Sequence, residues 1–558
     1  MPRTVRFLLV WSVPLIAIGV FWLLCAVVAP GFGMQNSLRA WLFNVIEHGS
    51  GLWWVIVYYL AGLTVYFVRV YRDRPRVHTA YRAVAVIGAA LSVVSICVPI
   101  YFMVNLDKNA GRFYAGASTF YARDPGQVPS SLHLLANGGT KNSGGCAVLG
   151  GHDVYGCIQQ GDLSPAGWEP RVGSLDGATI ALGRAIGDVQ AVSLRPETIT
   201  YLNGRGAVPG SWSGVLDGSG INVPLGGVAE WTGEGAVTAC TFTGDYGIDR
   251  AFGGARMNSL TNLISERFPL IGYEMGDVWG YCDGKQPVVV VPVTMPIPWT
   301  HRTVDAPAGV IIVHGDHGHV NLDYRTDVGP GALPGPVYPK SLMAQQRTET
   351  KWAAGRENMN RNHFGFDPAN SQAQSGNVSE YLLRDKRTGR LQWVTPMILR
   401  GSTSELFVAY SVTPADEVHR RNLNPQSVYV LDDTDARRIN IDNLDADARS
   451  WLAVNAGTVM SNGGKLVEFT PIDGDTWRGF VEFNGRVAYR IDISASHKIP
   501  VQLTELDPAG QTLSTPPPTA GNADCGKDLG ALTPAQVTRC AKIFVDELSN
   551  RQQQTPPR

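Results

Sequence analysis

The sequence predicts an α+β protein in which a three-helix N-terminal transmembrane anchor precedes a mainly antiparallel-β extracytoplasmic region with a few short helices. Two observations carry that expectation. Long uncharged apolar runs are confined to the first 105 residues, and most of the remainder alternates apolar and polar residues at period two between Gly- and Pro-containing turns. Cysteine placement agrees, because the polar remainder holds an even number of cysteines and the chain has no CxxC pair.

The first apolar run, FLLVWSVPLIAIGVFWLLCAVVA over 7–29, carries no charge and is long enough as a helix for a hydrocarbon core of roughly 30 Å. A cleaved signal peptide is the rival reading, but the run exceeds a typical signal core and two more runs follow, at about 52–68 and 83–104. The connection between the second and third runs carries Arg69, Arg72, Arg74, Arg76 and Arg82, whereas that between the first two has only Arg39. The positive-inside rule then places the N-terminus in the cytoplasm and 106–558 outside a plasma membrane. The runs lack ionisable residues in their central portions, which favours an anchor over a transporter. Between the first two, SLRAWLFNVIEH is expected to lie on the membrane surface as an amphipathic helix.

Beyond the anchor, residues 106–285 form an expected Gly-rich β domain with one helix over 258–268, where Leu260, Leu263, Ile264 and Phe268 share a face. Residues 286–506 show a loose repeat, a strand with a Pro-containing segment followed by two further strands around a polar turn. This predicts antiparallel meanders with one buried face, plus helices over 342–352 and 445–454. From 507 to 558 a Pro-rich linker leads to an amphipathic helix, with Thr533 as N-cap, Pro534 at the first position, and Val537, Cys540, Ala541, Phe544, Val545 and Leu548 along one stripe.

Of the eight cysteines, Cys25 and Cys97 lie in apolar runs. The remaining six allow fifteen connectivities; nearest-neighbour pairing joins Cys146 to Cys157, Cys240 to Cys282 and Cys525 to Cys540.

The densest set of potential ligands is His314, Asp316, His317 and His319 in HGDHGH, preceded by His301 and Asp305 in HRTVD. Imidazole and carboxylate at such spacing can bind zinc, so His301, Asp305, His314, His317 and His319 form the candidate metal set. The HRTVDAPAG stretch resembles the start of the metal site in LytM-type peptidoglycan endopeptidases. It departs from them at Thr303, where a Gly is usual, and in the early arrival of His317-x-His319. The competing reading makes GVIIVHGDHGHVNLDY a hairpin with solvated histidines at its tip.

With 47 basic and 48 acidic residues the chain is near neutral, which argues against a nucleic-acid partner. It contains no GxSxG, HExxH, GxxxxGK[ST] or GxGxxG, so the corresponding hydrolase, nucleotide and dinucleotide readings lack a signature. The expected function is a membrane-anchored binding or scaffold protein of the cell envelope, without catalysis or cofactor. Its partners would be the lipid bilayer and envelope proteins or a wall polymer. The alternatives are a zinc-dependent envelope hydrolase using His301, Asp305 and His319, and an accessory subunit of a larger membrane complex.

Overall fold

A computed structural model describes 110–505 except 133–157, 162–166, 170, 172–173, 185–191, 205–209, 221, 234–236, 300–301, 370–379, 402–405, 432–440, 484–485 and 497–500. It also describes the helical positions 11–13, 16, 19–20, 58–66, 68, 86, 90, 93 and 97. The chain divides into two compact units, 1–510 and 511–558. The second unit, with its expected helix, Cys525 and Cys540, lies outside the described residues.

The β-rich α+β character holds, and the transmembrane anchor does not. Among the described residues no helix is long and apolar enough to cross a membrane. Much of 7–29, 52–68 and 83–104 falls outside them. Within those runs the described residues are helical at 11–13, 16, 19–20, 58–66, 68, 86, 90, 93 and 97. Hydropathy measures the content of a run, whereas spanning also requires uninterrupted helical hydrogen bonding through the core. The helical residues 11–13 contact 58–66 through polar groups. The Trp11 indole donates to the Tyr58 carbonyl at 3.0 Å, and the Tyr58 hydroxyl donates back to the Trp11 carbonyl at 2.7 Å. The multi-pass plasma-membrane location, the bilayer as partner and the inside-outside assignment of 106–558 lose their support with the anchor. The surface helix expected between the first two runs lies outside the described residues.

Five sheets organise the described part of the first unit. A central mixed sheet runs, from edge to edge, Ile158–Gln160, Ser118–Ala122, Gln426–Val430, Ala409–Pro414, Leu391–Leu399, Tyr381–Asp385 and Trp168–Glu169, with Phe366–Pro368 paired to Leu391–Leu399. Strands from both sides of residue 285 therefore share one sheet. Ser118–Ala122 pairs in parallel with Gln426–Val430, and the join is fixed by buried polar groups: the Ser118 hydroxyl donates to Gln426 at 2.7 Å, and Gln426 donates to Ser411 at 2.6 Å. Such a chain leaves the buried amide paired on both sides and makes a slipped register costly.

An antiparallel meander, in chain order Trp279–Asp283, Gln286–Trp299, Arg302–Asp316 and His319–Arg325, forms the second sheet. One buried face was expected here, and the structure has two. Val288 and Val290 with Val310 and Ile312 enter one core, while Val289, Val291 and Val293 with Ile311 and Val313 enter another. The continuous VVVV run is the reason, since period-two geometry sends alternate valines to opposite faces and both must leave water. The third sheet is a C-terminal meander of Lys465–Pro471, Thr476–Phe483, Arg486–Ser494 and Gln502–Glu505. It packs on the central sheet through Phe469, Trp477 and Ile491 against Tyr381, Val394 and Tyr410. The helix Ile441–Asn455 adds Leu444, Ala448 and Leu452, spaced four apart on one stripe, to this core.

The fourth sheet comprises Val192–Leu194, Ser211–Gly218, Gly227–Trp231 and Thr238–Thr241, with Thr200–Leu202 paired to Ser211–Gly218; a two-stranded ladder joins Asp327–Val328 to Val418–His419. The disulfide Cys240–Cys282, with Cα atoms 5.9 Å apart, ties this fourth sheet to the meander. Cys146 and Cys157 lie outside the described residues. The helices expected over 258–268 and 342–352 appear as Leu260–Arg267 and Lys340–Glu349.

Candidate ligand-binding cleft

The histidine set does not assemble around one point. Asp305 is exposed, opposite Pro296, and His314 stands nine positions further along the same extended strand, roughly 30 Å away. His319 pairs with Asp316 across the hairpin, further still from Asp305. His317 occupies the turn with φ 46°, its Nδ1 2.8 Å from Asp316 and its Nε2 3.7 Å from Asp245. The hydrogen bond its ring donates to the Asp316 carboxylate and the charge of Asp245 raise its pKa above the ordinary imidazole value. His314 is half-buried, its Nδ1 lacks a hydrogen-bond partner, and burial lowers its pKa. His301 lies outside the described residues. Among the described residues no group of three His, Cys, Asp or Glu side chains is disposed to hold a metal ion.

The structure assembles a different site from residues far apart in sequence. A cleft of ≈ 630 Å³, counting its open mouth, lies where the central sheet, the meander and the fourth sheet meet. Its walls include Trp212, Trp279, Trp393, Tyr201 and Tyr338, together with Arg171, Glu197, Asp277, Lys340 and Glu380.

The aromatic walls are fixed from behind. Trp279 opens the strand Trp279–Asp283, and its indole donates to the Pro336 carbonyl at 2.6 Å. Trp393, on Leu391–Leu399, donates to the Tyr338 carbonyl at 3.1 Å. The Tyr338 hydroxyl in turn donates to Gln346, whose amide donates to the Asn424 carbonyl at 3.0 Å. Gly335 lies against the Trp279 ring so closely that a Cβ there would fall 2.8 Å from it. With these polar tips occupied, the side chains hold one orientation in the absence of a ligand.

The charged walls are paired. The Arg171 guanidinium lies 5.1 Å from the Trp212 ring centroid and 5.5 Å from that of Tyr381, and it forms a buried ion pair with Glu468. Glu468 reaches Arg171 from an irregular point in the C-terminal meander, between Val467 and Phe469, where its φ is +36°. Burial raises the Glu468 pKa, and the Arg171 cation and the Leu175 amide oppose that shift. Glu380 is burdened by burial, but Arg347 at 2.6 Å and Lys340 at 3.1 Å more than offset this and hold its pKa below the ordinary value.

Asp277 behaves oppositely. Burial pushes its carboxyl up to about 6, although the Ser341 hydroxyl at 2.5 Å and the Ser341 amide at 3.1 Å favour the charged form. Those contacts give Asp277 a second role. Pro339 at the start of the helix Lys340–Glu349 has no side-chain cap, and Asp277 supplies the missing acceptor from another segment.

Comparison of the chain with protein-family models, curated proteins and solved structures gives no match.

Proposed function

We propose that the chain is a non-catalytic binding protein that holds a small molecule in the cleft between its three sheets. One observation carries the reading. One open cavity is walled by the half-buried or exposed Tyr201, Glu197, Lys340 and Glu380, backed by Trp212, Trp279, Trp393 and Tyr338, which are buried behind it and anchored through the Trp279 and Trp393 indoles and the Tyr338 hydroxyl. Preformed concave sites with apolar walls and a few placed polar groups are where small ligands bind. The zinc-hydrolase reading draws no support from the hairpin, where Asp305 and His319 lie far apart on extended strands. A scaffold role, with an envelope protein or wall polymer as partner, keeps only the warrant it had from the sequence.

Ligand-detected saturation-transfer NMR on the whole chain, against a diverse library of small polar compounds, tests the proposal. At least one compound is expected to bind saturably and to be lost in a Tyr201→Ala, Lys340→Met double variant, altered at side chains that face the cleft, that retains its circular dichroism. Binding that persists unchanged in that folded variant would place the ligand elsewhere and overturn the reading.

A further inference from the structure

Resting on the cleft as the binding site proposed above, we infer that its ligand is a zwitterion, a small molecule whose ammonium group meets Glu197 and whose carboxylate meets Lys340. The two sides of the cleft that carry these residues are unbalanced in opposite senses. On one side the short turns Pro196–Thr198 and Met275–Asp277 pack together and bring Glu197 and Asp277 to the cleft. Arg195 serves two carboxylates there, Glu197 at 3.3 Å and the fully buried Asp217 at 2.7 Å. Asp277 adds a further negative charge. Its carboxyl, pushed up to about 6 by burial, is mostly ionised at pH 7, and among the described residues it forms no ion pair, its contacts being hydrogen bonds from Ser341 and the Lys340 amide. Glu197, Asp217 and Asp277 thus stand against one guanidinium. The other side reverses the balance, because Lys340 at 3.1 Å and Arg347 at 2.6 Å share the single carboxylate of Glu380. The remaining charged group of the cleft, Arg171, is matched by Glu468.

The imbalance is held apart by the first residue of the helix Lys340–Glu349. The Lys340 amide turns to Asp277 while its ammonium turns to Glu380, so the spare positive charge does not cancel the spare negative charge. A ligand carrying one sign alone gains at one side and meets like charge at the other. A zwitterion, neutral overall, gains at both. The two contacts are open to it, since the Glu197 and Lys340 side chains are 39% and 31% exposed. Each is already in an ion pair, yet a carboxylate keeps spare lone pairs and an ammonium keeps spare protons, so each can take a second charge-assisted hydrogen bond. Leu175 and Ile199, half-buried in the same lining, offer apolar contact to the carbon skeleton between the ligand's charges.

The test titrates the full-length chain at pH 7 and low salt with leucine, 4-aminobutyrate and 6-aminohexanoate, which set the two charges at increasing separation. Each is paired with its amide, which keeps only the ammonium, and its N-acetyl derivative, which keeps only the carboxylate. At least one zwitterion is expected to bind about tenfold more tightly than both of its derivatives. Glu197→Gln should weaken that zwitterion and its amide and spare the N-acetyl derivative, whereas Lys340→Met should weaken the zwitterion and the N-acetyl derivative and spare the amide, each in a variant that retains its circular dichroism. An amide or N-acetyl derivative that matches its parent overturns the inference, as does a substitution that weakens both derivatives alike. If no zwitterion binds while a library compound binds saturably and is lost in the Tyr201→Ala, Lys340→Met variant, the zwitterion assignment fails alone. If neither binds, the cleft itself is not the site and both readings fall.

Discussion

Replacing Asp277 by Asn removes the ionisation of a carboxyl that the fold holds largely protonated below pH 6. Burial raises this group from 3.8 to about 6, and a two-unit difference corresponds to about 3 kcal/mol. The sign follows from proton binding. Because the folded pKa lies above the unfolded value, the folded state binds the proton more tightly. The contribution is fully present below about pH 4 and is lost as pH rises through 6. The Asp277→Asn variant carries no such dependence, and its new amide can donate to the Ser341 hydroxyl that in the parent donates to Asp277. Reversing that hydrogen bond adds a pH-independent offset of about 1 kcal/mol. The variant should therefore be slightly less stable than the parent at pH 4 and about 2 kcal/mol more stable at pH 7, by urea midpoints read from tryptophan fluorescence. Carboxyl ¹³C titration of the parent should place Asp277 near 6. A stability difference that stays constant from pH 4 to pH 7, or a group titrating at its ordinary value, would refute the reasoning.

Three further outcomes follow from the packing. Serine at Cys240 and Cys282 opens a link across a sequence separation of 42 and should lower stability by about 4 kcal/mol on the chain-entropy account, checked by urea unfolding with and without reductant. Gly335→Ala drives a methyl group into the Trp279 ring and should cost about 1 to 3 kcal/mol in thermal unfolding while shifting the Trp279 indole resonance. In a double-mutant cycle, Arg171→Met and Glu468→Gln should each cost about 3 to 5 kcal/mol alone. Together they should cost less than either, because the pair leaves no stranded charge behind.

Local pattern made part of this architecture readable. The alternation in GVIIVHGDHGHVNLDY encodes a hairpin, and Arg302–Asp316 and His319–Arg325 form it around a turn where His317 takes positive φ. Four-residue spacing of Leu444, Ala448 and Leu452 encodes a stripe that the helix Ile441–Asn455 buries. The cleft had no local signature. Arg171, Glu197, Trp212, Asp277, Lys340, Glu380 and Trp393 come from separate segments. They meet only because distant strands pair, as in the parallel ladder of Ser118–Ala122 with Gln426–Val430. Two misdirections also have physical causes. The HGDHGH cluster is dense along the chain but strung out along extended backbone, where each residue advances about 3.3 Å. The N-terminal apolar runs satisfy a hydropathy criterion, yet their described residues form no helix of spanning length.

The most direct test of the central claim is a crystal structure of the whole chain soaked with the compound that binds most tightly in the saturation-transfer experiment. Density is expected for that compound in the cleft, within hydrogen-bond reach of Glu197, Lys340 or Glu380. A compound seated elsewhere, with the cleft unchanged at saturating concentration, would contradict it.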